Sequence, residues 1–138
     1  EILENDFKAK NINFINRKNF KTAQTISGAI FKANLDRTHP INFGIENNSI
    51  ALFRNTDIFL KPDDQSYNNP IKYDKNPLMS GYISKENLKN LSNTVPFKIE
   101  SIENGKIIIM TDNTNFRGYW IGTQHFLANM IFYSQFMN

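Results

Sequence analysis

A chain of 138 residues, 40% of them hydrophobic and twelve of them phenylalanine, is long enough for one domain with a true core and too apolar to be disordered over most of its length. The absence of cysteine excludes disulfides, thiolate ligands and a cysteine nucleophile. The net charge of +3 resides in the first 32 residues, where six dispersed basic side chains meet three acidic ones; this spacing describes a solvated face rather than a nucleic-acid interface.

Residues 1–20 read ambiguously. Ile2, Leu3 and Phe7 suit a short amphipathic helix, and a basic, Asn-rich stretch through Asn19 suits a surface connection. The chain begins inside that helical pattern without a methionine, which marks it as a mature or excised piece of something longer. No apolar run approaches the roughly 18 residues that span a bilayer, and no signal peptide is visible.

Ala29 to Asp36 predicts a strand introduced by Ser27-Gly28, with one face solvated after Phe31 where apolar and polar residues alternate. His39-Pro40 stops it, because proline cannot continue a central ladder. Ser49–Arg54 and Ile58–Lys61 read as two short strands of a hairpin across Asn55-Thr56-Asp57. Pro62 to Pro77 carries sixteen residues of turn chemistry and reads as a long loop. Leu78 to Ile83 brings the chain back inside.

Ser84 followed by Glu86 signals a helix start, with Leu88 and Leu91 as its apolar face. Val95 to Ile102 alternates and pairs, through the Asn104-Gly105 turn, with Lys106 to Met110. Four consecutive apolar residues in this last run predict a central strand covered on both faces. Thr111 to Gly122 reads as an exposed loop. A helix from about Thr123 then places Phe126, Met130, Tyr133 and Met137 in one stripe, widened by Leu127 and Ile131 until burial of the whole helix is the expectation.

The chemistry is sparse. His39 and His125 are the two histidines, and the positions three residues after them hold Asn42 and Ala128, so a His-x-x-Glu zinc pattern is missing. Neither Ser27-Gly28 nor Ser80-Gly81 sits in a nucleophile elbow, and Asp36, Asp57, Asp63, Asp64 and Asp112 supply only the unpatterned acids that many chains contain. No catalytic residue, metal ligand or cofactor is expected in this chain.

The loop residues Arg117, Tyr119 and Trp120 admit two readings. In one, an arginine fork and aromatic faces recognise a carboxylate or sugar, with Asp112 and His39 as further candidates. In the other, Phe116 and Trp120 fill the core while Arg117 pairs with Asp112 or Asp36. The second is favoured, since aromatics beside a buried helix mostly fill space. An unrecognised hydrolase that pairs Asp112 with His39 is a third reading.

Ser27 to Phe31, Leu35 to Gly44, Ser80 to Ile83, Gly105 to Ile109 and Asp112 to Asn129 together resemble the C-terminal domain of zinc carboxypeptidase-related proteins of Bacteroidetes-type bacteria, a domain similar to class I glutamine amidotransferases. The resemblance implies the later part of a flavodoxin-like α/β domain with a mixed sheet at residues 25–138, preceded by a helix or connecting segment at 1–24. An α+β unit with a mainly antiparallel sheet is the alternative, because the early parallel strands of such a domain have no counterpart here.

The resemblance also implies a non-catalytic accessory domain, periplasmic or secreted, that packs on the peptidase domain of the same polypeptide. Zinc belongs to that peptidase domain, and a peptide or envelope glycan is a further partner. The amidotransferase triad is not carried over: cysteine is absent, and Asp112-Asn113 follow the strand where that class places its histidine and acid.

Overall fold

The computed structural model describes residues 11–118 and 120–137. The expected helix at Ile2 to Phe7 lies outside them. The Asn-rich stretch expected as a connection forms instead a 3-10 turn, Phe14–Asn16, and a helix, α1 (Arg17–Gln24). The end of α1 is fixed from afar: Asn87 Nδ2 donates to the Gln24 carbonyl at 2.6 Å, and Ser84 Oγ donates to Gln24 Oε1 at 2.7 Å.

Strand β1 (Ala29–Leu35) is the centre of a three-stranded antiparallel sheet, flanked by β2 (Ser49–Arg54) and β3 (Ile71–Gly81). Its alternation has the expected outcome, with Ala29, Phe31 and Ala33 buried while Lys32 is half-buried and Asn34 exposed. β2 pairs with β1, so the expected hairpin with residues 58–61 does not form; there, Leu60 makes one bridge to Val95.

The expected loop at 62–77 is corrected too. It holds a 3-10 turn, Ser66–Asn68, and then becomes β3. Ala33 faces Tyr73 and Phe31 faces Leu78, so residues 74–77 bulge out opposite the single residue Lys32. Asn76-Pro77 is tolerated because it occupies a bulge on a strand that is at the sheet's edge among the described strands. Asp74, on the bulge, reaches back to Lys32 Nζ at 3.3 Å. Where β3 ends against the start of β1, Gly81 has φ +94°, and a Cβ would come within 2.9 Å of the Ala29 Cα.

Helix α2 (Lys85–Leu91) starts as expected, with Ser84 Oγ accepting from the Asn87 N–H at 3.1 Å and Leu91 fully buried. β4 (Phe97–Ile102) and β5 (Gly105–Met110) form the expected hairpin, but the left-handed residue is Glu103, at φ +51°. β5 is not a central strand. Among the described strands it pairs only with β4, and Ile107 and Ile109 face outward, 49% and 40% exposed, while Ile108 and Met110 pack on the core.

Helix α3 (Ile121–Phe132) closes the core. Phe126 and Met137 are fully buried and Met130 and Tyr133 pack beside them, against Phe31, Ile41, Ile71, Leu91 and Phe97. Every strand pair among the described residues is antiparallel, and helices and antiparallel sheets together make a mixed architecture. The parallel pairing of a doubly wound sheet does not occur among these strands.

Candidate functional site

The segment behind β5 was expected to be an exposed loop, yet its base is buried at Thr111, Asp112 and Thr114. Asp112 meets Arg54, the last residue of β2. Arg54 Nη1 donates to Asp112 Oδ1 at 2.8 Å and to Thr111 Oγ1 at 2.8 Å, and Nη2 donates to the Ile58 carbonyl. The Tyr73 hydroxyl donates to the same Asp112 Oδ1 at 2.6 Å. The Phe59 ring centroid lies 5.1 Å from the Arg54 guanidinium carbon.

The Arg54 and Asp112 side chains are 1% and 0% exposed. Burial pushes the Asp112 carboxyl above its ordinary range, against the pull of Arg54 and Tyr73. Burial, followed by the Asp112 charge, pushes the Tyr73 phenol well up, so it keeps the proton that it donates. A cluster sealed this way offers no atom to a substrate. Its role is to tie the end of β2 to the segment after β5 and to β3. Asp112 pairs with Arg54 in place of the expected Arg117.

Sequence reading missed Arg54 and Tyr73. The signal was strand parity: Arg54 follows Ile50 and Leu52 on the inward face of β2, and Tyr73 follows Ile71 and faces inward with it on β3.

The rest of the segment lies along the outer edge of β2. Asn113 N–H donates to the Phe53 carbonyl at 2.9 Å, and Trp120 Nε1 donates to the Ala51 carbonyl at 3.2 Å. Residues 51 and 53 share parity on a strand whose only strand partner among the described residues is β1, so these two bonds cover carbonyls on its other edge. Phe116 stacks on Phe53, with centroids 3.8 Å apart and planes at 20°. Trp120 and Phe116 are thus half-buried, not core residues. Arg117 is exposed at φ +52°, its guanidinium carbon 5.0 Å from the Phe116 ring centroid. Tyr119 lies outside the described residues.

Because Trp120 is half-buried, Trp120→Ala is expected to cost about 1–3 kcal/mol in urea unfolding, below the roughly 3–5 of a fully buried tryptophan. Trp120→Phe keeps most of the ring packing and is expected to lose only about 0.5–1.5 kcal/mol, the net worth of one hydrogen bond.

His39 belongs to another part of the molecule. It precedes the 3-10 turn Pro40–Asn42, its Nδ1 accepts from the Ile41 N–H at 3.2 Å, and its ring meets Phe97 edge-on at 6.0 Å. Its neighbours are not those of Asp112, so the structure does not bring this pair together. Burial holds the imidazole pKa below its ordinary value, with the Asp36 charge opposing.

A histidine lowered in the folded state adds stability that is complete above its unfolded pKa near 6.5 and disappears as pH falls through the folded value. The urea midpoint is therefore expected to drop between neutral pH and pH about 5, and His39→Asn, which can still accept from the turn, to flatten that part of the dependence. An unchanged slope in the variant would assign the loss to other groups.

No group of three or more His, Cys, Asp or Glu among the described residues is placed to hold a metal ion. The surface feature that stands out is the outward side of α3. Ile121, Leu127, Ala128, Ile131 and Phe132 recur at helical spacing and are exposed, Ile131 by 64% and Phe132 by 72%. The expectation that Leu127 and Ile131 are buried is corrected within this chain: α3 is apolar on both sides and only one side is covered. Comparison with protein-family models, with curated proteins and with solved structures gives no match for this chain.

Proposed function

We propose that this chain is a non-catalytic accessory domain that packs, through the outward side of α3, against another domain of a longer polypeptide. The carrying observation is the row of exposed apolar side chains on a helix whose opposite side already fills the core. A helix apolar all round is ordinarily covered all round, and an exposed row of this kind marks a protein contact. The outward Ile107 and Ile109 of β5, on a hairpin that has no further strand among the described residues, supply a second contact region.

The ordered motifs from Ser27 to Asn129 suggest a zinc carboxypeptidase-like parent, in which zinc and catalysis belong to the peptidase domain and the setting is periplasmic or secreted. Kinship with the flavodoxin-like amidotransferase domain rests on those motifs alone, and the antiparallel pairing counts against a doubly wound sheet. Of the polar candidates, Asp112 and His39 have internal partners in Arg54 and Ile41, as a scaffold requires.

The test is peptidase turnover with added zinc, measured on this chain and on the complete polypeptide that its gene encodes. Activity is expected only in the second. Turnover by this chain alone, or a gene without a peptidase domain, contradicts the reading.

A second reading, a carbohydrate- or peptide-binding module at residues 117–120, is favoured by one observation: Arg117 is exposed and holds a left-handed backbone. Titration of Trp120 fluorescence with envelope glycans and peptides separates the two. A saturable response that Arg117→Ala abolishes supports the module.

A further inference from the structure

The groove between His39-Pro40 and the chain beyond α3 is distinct from the α3 face and does not depend on the packing role. It encloses about 280 Å³. Pro40, Phe43, Tyr133 and Phe136 form its walls, with Arg37 and His39 among the polar groups at its margin. We propose that it binds a small carboxylate carrying an aromatic or branched apolar group.

The walls are held in place before any ligand arrives. Buried Asn129 donates through Nδ2 to the carbonyls of Ile41 and Phe43, at 2.7 and 2.9 Å, and so anchors the turn to α3. Phe43 and Tyr133 meet edge-on at 5.2 Å, and Phe136 follows at 6.4 Å from Tyr133. Phe43 and Phe136 nevertheless remain more than 60% exposed. Aromatic surface that is fixed in position and still open is what a flat apolar group needs for stacking.

The polar lining is one-sided. The Arg37 guanidinium and the Tyr133 hydroxyl have no hydrogen-bond or ion-pair partner among the described residues. His39 accepts through Nδ1, which leaves its proton on Nε2 as a donor. No Asp or Glu is among the residues that line the groove; Oδ1 of nearby Asp36 accepts from the Thr38 N–H and hydroxyl, at 3.0 and 2.6 Å. A site that offers donors and a cation calls for a ligand that brings acceptors and a negative charge. The planar guanidinium fork matches a carboxylate. The volume suits one ring and a short arm and is too small for an oligosaccharide.

The probe is 3-phenylpropionate, followed by amide chemical shifts in a titration of the whole chain. Saturable shifts are expected at residues 37–43 and 133–137. Its neutral analogue 3-phenylpropanamide and the Arg37→Ala variant are each expected to bind about tenfold more weakly or worse, the loss of a charge-assisted fork. Phe136→Ala weakens binding as well, and Arg117→Ala leaves it unchanged. Arg37, Phe136 and Arg117 are exposed, so these variants keep the fold, which the remaining amide shifts verify. Shifts that fail to saturate, that map to residues 111–120, or that ignore both the missing charge and Arg37→Ala overturn the assignment.

Discussion

Replacing Arg54 by alanine is expected to lower the unfolding free energy by about 3–5 kcal/mol, because it leaves the Asp112 carboxylate buried without a counter-charge. The guanidinium has four acceptors to lose, on Tyr73, Thr111, Asp112 and Ile58, drawn from β3, from the segment after β5 and from the turn after β2 itself. Asp112→Ala should cost a similar amount, by stranding a guanidinium in an apolar setting. The double replacement Arg54→Met with Asp112→Leu is expected to recover much of either loss, since a buried ion pair often only balances its own desolvation. Arg54 Nε and Asp112 Oδ2 lack partners, which makes that balance poorer still. Urea unfolding of the three variants measures all of this. A single-variant loss below about 1 kcal/mol would mean that water reaches the pair.

The second large effect separates two phenylalanines of α3. Phe126→Ala is expected to cost about 3–5 kcal/mol, since the ring is fully buried among core residues from both sheets. Phe132→Ala, six residues on and 72% exposed, should change stability by less than about 0.5 kcal/mol. The contrast distinguishes a helix held by one side from a helix that is core throughout. Comparable losses from both variants would show that the outward side already has a partner within this chain.

Local signals were legible where a few neighbouring residues decide the outcome. Ser84 capped α2, the turn before Gly105 paired β4 with β5, and the spacing of Phe126 and Met130 marked the inner side of α3, whereas the helix ends at Phe132, so Tyr133 and Met137 reach the same core from beyond it. Long-range questions were not legible in this way. Residues 107–110 form an apolar run whether a strand is covered twice or waits for a partner, and only the pairing shows that β5 lies in a two-stranded sheet. Pro77 made residues 62–77 look like a loop because proline signals an edge bulge as readily as a turn.

Of the candidate site, the sequence indicated residues but not their neighbours. Asp112 was noticed for its charge, whereas its partner Arg54 lies 58 residues away in a strand whose parity, more than its charge, announced burial. Trp120 was noticed for its surface, and the open edge of β2 absorbs its indole N–H. His39 and Arg37 drew no attention as a pair, since two of the aromatic walls beside them, Tyr133 and Phe136, come from the other end of the chain.

The role assigned to the outward side of α3 is tested most directly by hydrogen exchange of its amides, in this chain alone and in the complete polypeptide that its gene encodes. Exchange over residues 121–132 is expected to be about tenfold slower or more in the complete polypeptide, and Ile131→Glu to erase the difference. Equal rates in the two samples, or slower exchange that survives Ile131→Glu, would contradict a docking role for that face.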